Sequence, residues 1–336
     1  MHIKKNSIPK AILLYGLLPS FVKKVIYRLK GYTVGNKVSF KFGSVIIGKD
    51  VIIGDNCKFG FFSVIRAKKI NIGRFVNIHR STMIDTEELI LGEDTTIKEN
   101  VNVGGMNTPD SSLKTGKRVY VGQNSYINTT KPVILGDDTG LGGYNFLFTH
   151  GSWLSQLDGF PATFEPIIIG SRVWAPWRVF IMPGITIGND VVIGANSLIT
   201  KSLPSNVLAA GSPAKIIYED YPKNIDKNQR VNIINNIIED FISYFEYNGY
   251  SHDKLDEKHI ISKNGKKAEF IISLNSLNYE FTCDDHVLIC DNEKMLTSDY
   301  KMVLNLHKNK RIGSSKIGEE LVKFFSRYGI RFNRID

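Results

Sequence analysis

The sequence predicts a mainly β protein. A parallel β-helix of about seven coils spans residues 41–219. A basic helical arm (residues 1–40) precedes it, and a small α/β domain (residues 220–336) follows. Three observations carry this. One aliphatic or aromatic residue recurs every six positions, often followed by Gly, as in Ile47-Gly48, Ile53-Gly54 and Phe59-Gly60. The period survives one-residue insertions and two long excursions. After Lys215 the hexapeptides stop and helical periodicity begins.

A six-residue period is one short β-segment plus one corner. The aliphatic residue points inward, and Gly or Asn beside it tolerates corner backbone angles. Counted from Ile47 through Ile199, the period gives 21 inward positions, or seven triplets. Each triplet closes a coil that hydrogen-bonds to the next. A β-sandwich would instead show turn signals about every 8–12 residues. Residues 105–118 read as a polar excursion, and residues 148–166 as a second one containing His150. Long loops in a regular solenoid carry function or are disordered.

The formal charge is +10, and 42% of the 336 residues are apolar. Residues 1–40 hold eight Lys/Arg and no acid, whereas residues 41–219 hold 17 basic and 15 acidic side chains. The excess therefore belongs to the arm, which argues against a nucleic-acid-binding body. Within the arm, apolar residues from Ile12 to Leu29 interleave with Lys23, Lys24, Arg28 and Lys30 around Pro19. Two readings stand for this basic amphipathic helix: it caps the open end of the β-helix, or it meets anionic lipid as a peripheral membrane contact. No apolar run is long enough to span a bilayer, and no signal-peptide cleavage site is evident. Cys57, Cys283 and Cys290 make neither a disulfide framework nor a zinc pattern, and no metal is expected. These features point to a cytoplasmic protein, with the inner face of the membrane as the arm's second reading.

From His150 onward the motifs become specific. Pro166-Ile167-Ile168-Ile169-Gly170-Ser171-Arg172-Val173-Trp174 is followed by Pro183-Gly184-Ile185-Thr186-Ile187-Gly188. Next come Val192-Ile193-Gly194-Ala195-Asn196-Ser197-Leu198-Ile199-Thr200-Lys201 and Ala210-Gly211-Ser212-Pro213-Ala214-Lys215. This ordered set resembles the hexapeptide-repeat acyltransferases, the left-handed β-helix enzymes that include galactoside, maltose and polysaccharide O-acetyltransferases. The resemblance covers roughly residues 35–218. It implies a left-handed coil, acetyl-CoA as acyl donor, a sugar or polysaccharide acceptor and a homotrimer with its sites at the seams. It further implies that His150 is the general base, and that Trp177, Ala195, Thr200, Lys201 and Lys215 contact coenzyme A. Ala175-Pro176 and the bulky Trp177 stand where the family has Ile-Gly and a small residue.

Acyl transfer to a hydroxyl needs a base for the attacking O–H. A neutral imidazole fits that task near neutral pH, and such a base contributes about 10²–10⁴ in rate. Asp158 and Glu165 share the excursion with His150, and either could orient the ring or be a solvated loop charge. Asn145 could bind the acceptor hydroxyl or be a turn asparagine.

In residues 220–336, Asp226 caps a helix to about Tyr247, with Gly249 as its stop. Residues 251–267 read as a charged linker or loop. Strands are expected at 268–274, 279–283, 286–290, 300–306 and 330–335, and a second helix at 316–328. No catalytic motif appears there. The leading function is O-acetylation of a sugar. N-acetylation of an amino sugar is the alternative within the class. A non-enzymatic binding solenoid is a further one. A γ-type carbonic anhydrase would need three zinc histidines, and residues 41–219 hold only His79 and His150.

Overall fold

The structure is a computed structural model that describes residues 10, 12–255, 258–263, 265–273, 283, 285–291 and 300–334. The chain divides into two compact units, Met1–Lys223 and Asn224–Asp336.

The first unit is a three-faced β-helix. Parallel strands stack into three sheets, each joined in sequence order by every third strand. The first face runs from Thr33–Val34 to Thr186–Ile187, the second from Ser39–Phe40 to Val192–Ile193, and the third from Val45–Ile47 to Leu198–Ile199. The first and third faces have eight strands each, and the second adds Val207–Gly211 and its hairpin partner Ala214–Glu219, so eight full coils stand where the hexapeptide count from Ile47 gives seven. The additional coil begins earlier, with Val34, Phe40 and Ile46 pointing inward. Ile46, not Ile47, is the buried member of its pair, so the step to Ile53 is seven residues.

The polar excursion is also shorter than 105–118. Ser112–Thr115 rejoins the first face, and Thr115 takes an inward position. Its hydroxyl accepts the Gly92 N–H at 3.1 Å, so a polar side chain fits the core column. On this face the longer strands bury alternate residues, such as Val51 and Ile53 or Leu89 and Leu91, in the period-two alternation of a strand.

Corner chemistry differs from a uniform use of Gly. Ten of the eighteen non-glycine residues with positive φ among the described residues are Asn or Asp, such as Asn56 (60°), Asn124 (57°) and Asp138 (58°). These side chains tolerate the left-handed region. Gly122 is required for another reason: a Cβ there would meet the backbone carbon of Gly142 at 2.3 Å. Close approach of the next coil, not backbone angle, selects that glycine.

Helix α1 (Ser20–Leu29) closes the N-terminal end. Its buried side is polar. Lys23, at 0% exposure, donates from Nζ to Lys41 O (2.8 Å) and Ser44 O (3.0 Å). Tyr27 Oη accepts the Ile46 N–H at 2.9 Å, and Ser20 Oγ accepts the Phe40 N–H at 3.0 Å. These contacts occupy backbone groups of the first coil that have no coil beneath them. The helix thus caps the solenoid, and its apolar residues Phe21, Val25 and Leu29 face outward.

Among its described residues the second unit has a seven-stranded sheet with two helices, α2 (Lys227–Tyr247) and α3 (Lys316–Arg327). Asp226 and Gln229 form a reciprocal cap at the start of α2. Phe241 and Phe245 of α2 and Leu321 and Phe325 of α3 join one core cluster with Phe270, Val287 and Leu304 of the sheet. Residues 251–267 are not a linker. Ser251–Leu255 and Lys258–Lys263 form an antiparallel pair, and His259 and Ile261 turn inward. Flanking charges hide that alternation in the sequence. His286–Cys290 and Met302–Asn305 form strands as expected, whereas most of the strand expected at 279–283 lies outside the described residues.

Candidate functional site

The excursion after Phe146–Leu147 is a hairpin rooted in the coil. Thr149 is buried; its Oγ1 accepts the Lys131 N–H at 3.0 Å, and its carbonyl accepts the Glu165 N–H at 3.0 Å. His150 then pairs antiparallel with Phe164, and Gly151 with Thr163. Ser155 Oγ accepts the Leu157 N–H of a short 3₁₀ turn, Gln156–Asp158, which Gly159 ends at φ 85°. The tip is apolar and bare: Trp153 is 96% and Leu157 98% exposed.

His150 is half-buried, and its ring stacks on Phe164 with centroids 5.9 Å apart. Its Nδ1 lies 3.2 Å from Asn128 Oδ1 and 3.5 Å from Thr130 Oγ1. The same Oδ1 accepts the Thr130 backbone N–H (3.0 Å) and lies 2.8 Å from Thr149 Oγ1. An atom that accepts a backbone N–H is the amide oxygen, so it must accept from His150 as well. The proton of a neutral ring therefore sits on Nδ1. That leaves the Nε2 lone pair free, and Nε2 has no partner among the described residues.

The oxygen at Nδ1 is thus an amide, not an acid. Asp158 lies on the exposed tip. Glu165 turns to the next coil, where its Oε2 lies 2.0 Å from the position a Cβ on Gly184 would take. Neither forms an ion pair with His150 among the described residues. Asn128 was not anticipated. The available signal was the polar run Asn128-Thr129-Thr130, all buried, at a corner where one aliphatic per coil is the rule.

Asn145 is not available to an acceptor. It is 0% exposed, and its Nδ2 donates to Gly142 O (2.9 Å), Ala175 O (3.1 Å) and Pro176 O (2.8 Å). Its Oδ1 accepts the Val179 N–H at 2.7 Å. Every hydrogen-bonding group of the side chain is committed to two corners of the scaffold.

The remaining predicted residues fall on two edges of the third face. His150 follows the third-face strand of the sixth coil, and exposed Thr200 and Lys201 follow that of the eighth. The edge between the second and third faces carries Trp177 and Ala195 one coil apart, joined through the Asn196 N–H to Trp177 O (2.9 Å). Val207–Gly211 stacks on Val192–Ile193, which brings Ala210 and its hairpin partner Lys215 to that edge. The Trp177 ring lies 5.5 Å from Tyr144 and above Gly143. Between the edges the outer surface of the third face is aromatic. Phe146 and Phe180 stack at 4.7 Å, and Phe148 lies 6.4 Å from each.

Among the described residues no group of three His, Cys, Asp or Glu is placed to hold a metal, and no helix is long and apolar enough to cross a membrane. No protein-family model matches the chain. It is 36% identical over 155 residues to galactoside O-acetyltransferase of Escherichia coli strain K12, covering 43% of this chain and 73% of that protein. It is 33% identical over 129 residues to the putative colanic acid biosynthesis acetyltransferase WcaF of the same strain, covering 38% and 68%. Superposition on the crystal structure of the polySia-specific acetyltransferase NeuO gives a TM-score of 0.38 at 22% identity, over 61% of this chain and 98% of that one. The hexapeptide coils, the histidine hairpin that leaves them and the two curated relatives agree: the chain belongs to the hexapeptide-repeat acetyltransferase family.

Proposed function

We propose that this protein transfers an acetyl group from acetyl-CoA to a hydroxyl of a sugar, with His150 as general base. The observation that carries the reading is the Asn128 amide oxygen at His150 Nδ1. It fixes the tautomer that presents a lone pair at Nε2. That nitrogen takes the acceptor O–H proton as the oxygen attacks the thioester carbonyl. The tetrahedral oxyanion collapses and expels the CoA thiolate, which the imidazolium then protonates. While the ring is charged, Asn128 Oδ1 accepts a charge-assisted hydrogen bond. No covalent acyl-enzyme is required.

For the donor, Trp177 and Ala195 offer backbone N–H groups that have no acceptor among the described residues, and Thr200, Lys201 and Lys215 are exposed. Lysine is a suitable point-charge partner for the CoA phosphates. His150 and Trp177 stand on opposite edges of one face, so a complete site is best explained by a neighbouring copy. A homotrimer would cover the aromatic third face and give the apolar tip at Trp153 and Leu157 a surface to pack on.

The acceptor is a sugar, best read as part of a surface polysaccharide or its precursor, in keeping with the relatives' names. Work at the cytoplasmic face of a membrane fits acetyl-CoA supply and helix α1. Its outward residues Phe21, Val25 and Leu29, preceded by exposed Leu14 and Leu17, have basic Lys24, Arg28 and Lys30 beside them, and Leu29 is 82% exposed. That is the pattern of a helix lying in an anionic interface. Phe21→Glu with Leu29→Glu should release the protein from phosphatidylglycerol vesicles in flotation. Equal flotation would remove the membrane reading.

The test of function is acetyl transfer screened in parallel against hydroxyl and amino sugars, with mass detection of the product. An acetylated sugar alcohol is expected. Product from amines alone would convert the enzyme to an N-acetyltransferase, and no CoA affinity would leave a binding solenoid.

A further inference from the structure

A concave surface lies on the N-terminal coils, away from the His150 hairpin. It is a groove of about 680 Å³ on the second face and its edge, across the first four coils. Strand positions Ser39, Lys58 and Asn77 are in direct register, and corner residues Lys41, Phe61, Arg80 and Lys98 rim the groove. Four cations thus face one carboxylate, Glu99, which already has Lys98 Nζ at 3.9 Å and His79 Nδ1 at 3.6 Å. Residues 41–219 as a whole are close to neutral, so this concentration of charge is local. Lys58 and Arg80 have no carboxylate within 4.0 Å among the described residues, and Phe61 presents a half-exposed ring near Lys41.

The groove shares its edge with Trp177 and Ala195. One ladder of corner hydrogen bonds runs along it: Phe62 N–H to Phe42 O (3.0 Å), Ser81 N–H to Phe61 O (2.8 Å) and Asn100 N–H to Arg80 O (3.2 Å). It continues through Asn124 N–H to Glu99 O (3.1 Å), Tyr144 N–H to Gln123 O (2.9 Å) and Arg178 N–H to Gly143 O (3.1 Å). Coils repeat about every 4.8 Å, so the cations recur along the edge at a spacing comparable with one sugar residue. Lysine and arginine pair with carboxylates or phosphates. An exposed aromatic ring packs on the apolar face of a pyranose, and the Asn77 amide supplies directional hydrogen bonds.

We propose that this groove binds an anionic glycan strand and holds the acceptor polymer against the edge that leads to the acyl donor. The proposal rests on the acetyltransferase reading and adds that the acceptor carries carboxylate or phosphate groups. The full-length protein is tested by fluorescence anisotropy with labelled oligogalacturonate, a neutral dextran oligomer of equal length and poly(U). Oligogalacturonate should bind in preference to dextran and weaken with salt. Lys58→Glu with Arg80→Glu should weaken it about tenfold or more, since two attractions become repulsions. Lys58→Gln with Arg80→Gln should show a smaller loss, with both variants melting as the parent does. Undiminished binding by the Glu variant, or no preference over dextran, overturns the proposal. Tighter binding of poly(U) than of oligogalacturonate overturns it too, in favour of a nucleic-acid surface. Transfer to the oligogalacturonate and to the panel of hydroxyl and amino sugars is measured on the same samples. Absent transfer with charge-sensitive binding would sink the acetyltransferase reading and leave the groove standing.

Discussion

Two corners of one β-helix carry a histidine, and an asparagine meets each ring in the opposite sense. At His150, Asn128 presents its oxygen to Nδ1 at 3.2 Å. At His79, Asn77 presents its Nδ2 to Nε2 at 3.1 Å. The first contact consumes a ring proton and leaves a lone pair free. The second consumes the lone pair. His79 also lies on a regular coil, where burial first and Lys98 second lower its pKa while Glu99 opposes them. His150 leaves the coil on a hairpin, where Nε2 meets no partner among the described residues. A histidine becomes a base here through what its second nitrogen touches and where the backbone carries it, not through residue type.

The largest effect should come from removing the free lone pair. His150→Ala should fold, bind acetyl-CoA in calorimetry and lose at least about a hundredfold in kcat. Unchanged turnover would erase the contrast between the two histidines. The next effect isolates the orienting atom. Asn128→Ala should lower kcat on the order of 10–100-fold by freeing ring rotation and tautomer. Asn128→Asp should recover part of that loss and move the acid limb of kcat/KM to higher pH, because a carboxylate favours the imidazolium. A purely structural Asn128 would leave the pH profile where it was.

A third variant separates two buried asparagines. Asn145→Ala strands the Val179 N–H and the Pro176 carbonyl, whereas Gly142 O keeps Ser125 Oγ and Ala175 O keeps the Gly142 N–H. Stranded buried groups cost about 1–3 kcal/mol each, so a loss of several kcal/mol is expected in denaturant melts. The folded fraction should keep its kcat within about twofold. A large fall in kcat without loss of stability would return Asn145 to the site.

These differences mark what the sequence could convey. The hexapeptide period exposed the solenoid because each inward column is a one-residue rule, kept by Ile53, Ile72 and Leu91. It missed the first coil because Ile46 and Ile47 are adjacent and equally apolar, and only packing decides between them. It missed Thr115 because a hydroxyl satisfied by Gly92 N–H looks like loop chemistry in one dimension. His150 was legible as the histidine of an excursion. Asn128 was not, since 22 residues of chain separate it from a ring it meets only after one coil has closed on the next. Asp158 and Glu165 are near His150 along the chain, whereas a β-helix brings partners from the coil below. In helix α1 the amphipathic pattern was visible, but its sense was inverted. Lys23 goes inside because the open end of a β-helix offers carbonyls, and carbonyls are what an ammonium can satisfy.

The smallest effect should fall on the other histidine. His79→Gln should leave turnover on a small neutral sugar within about twofold, because its Nε2 is already engaged by Asn77. Its mark should appear in stability against pH. A folded pKa below the ordinary imidazole value means that the unfolded chain binds the proton more readily. The linked stability is therefore full above about pH 6.5 and declines as the solution is acidified below it. Melting temperatures of the parent should fall more steeply on acidification than those of the Gln variant. Parallel curves would mean that the ring of His79 is as free in the folded coil as in the unfolded chain. The difference between the two corners would then rest on His150 alone.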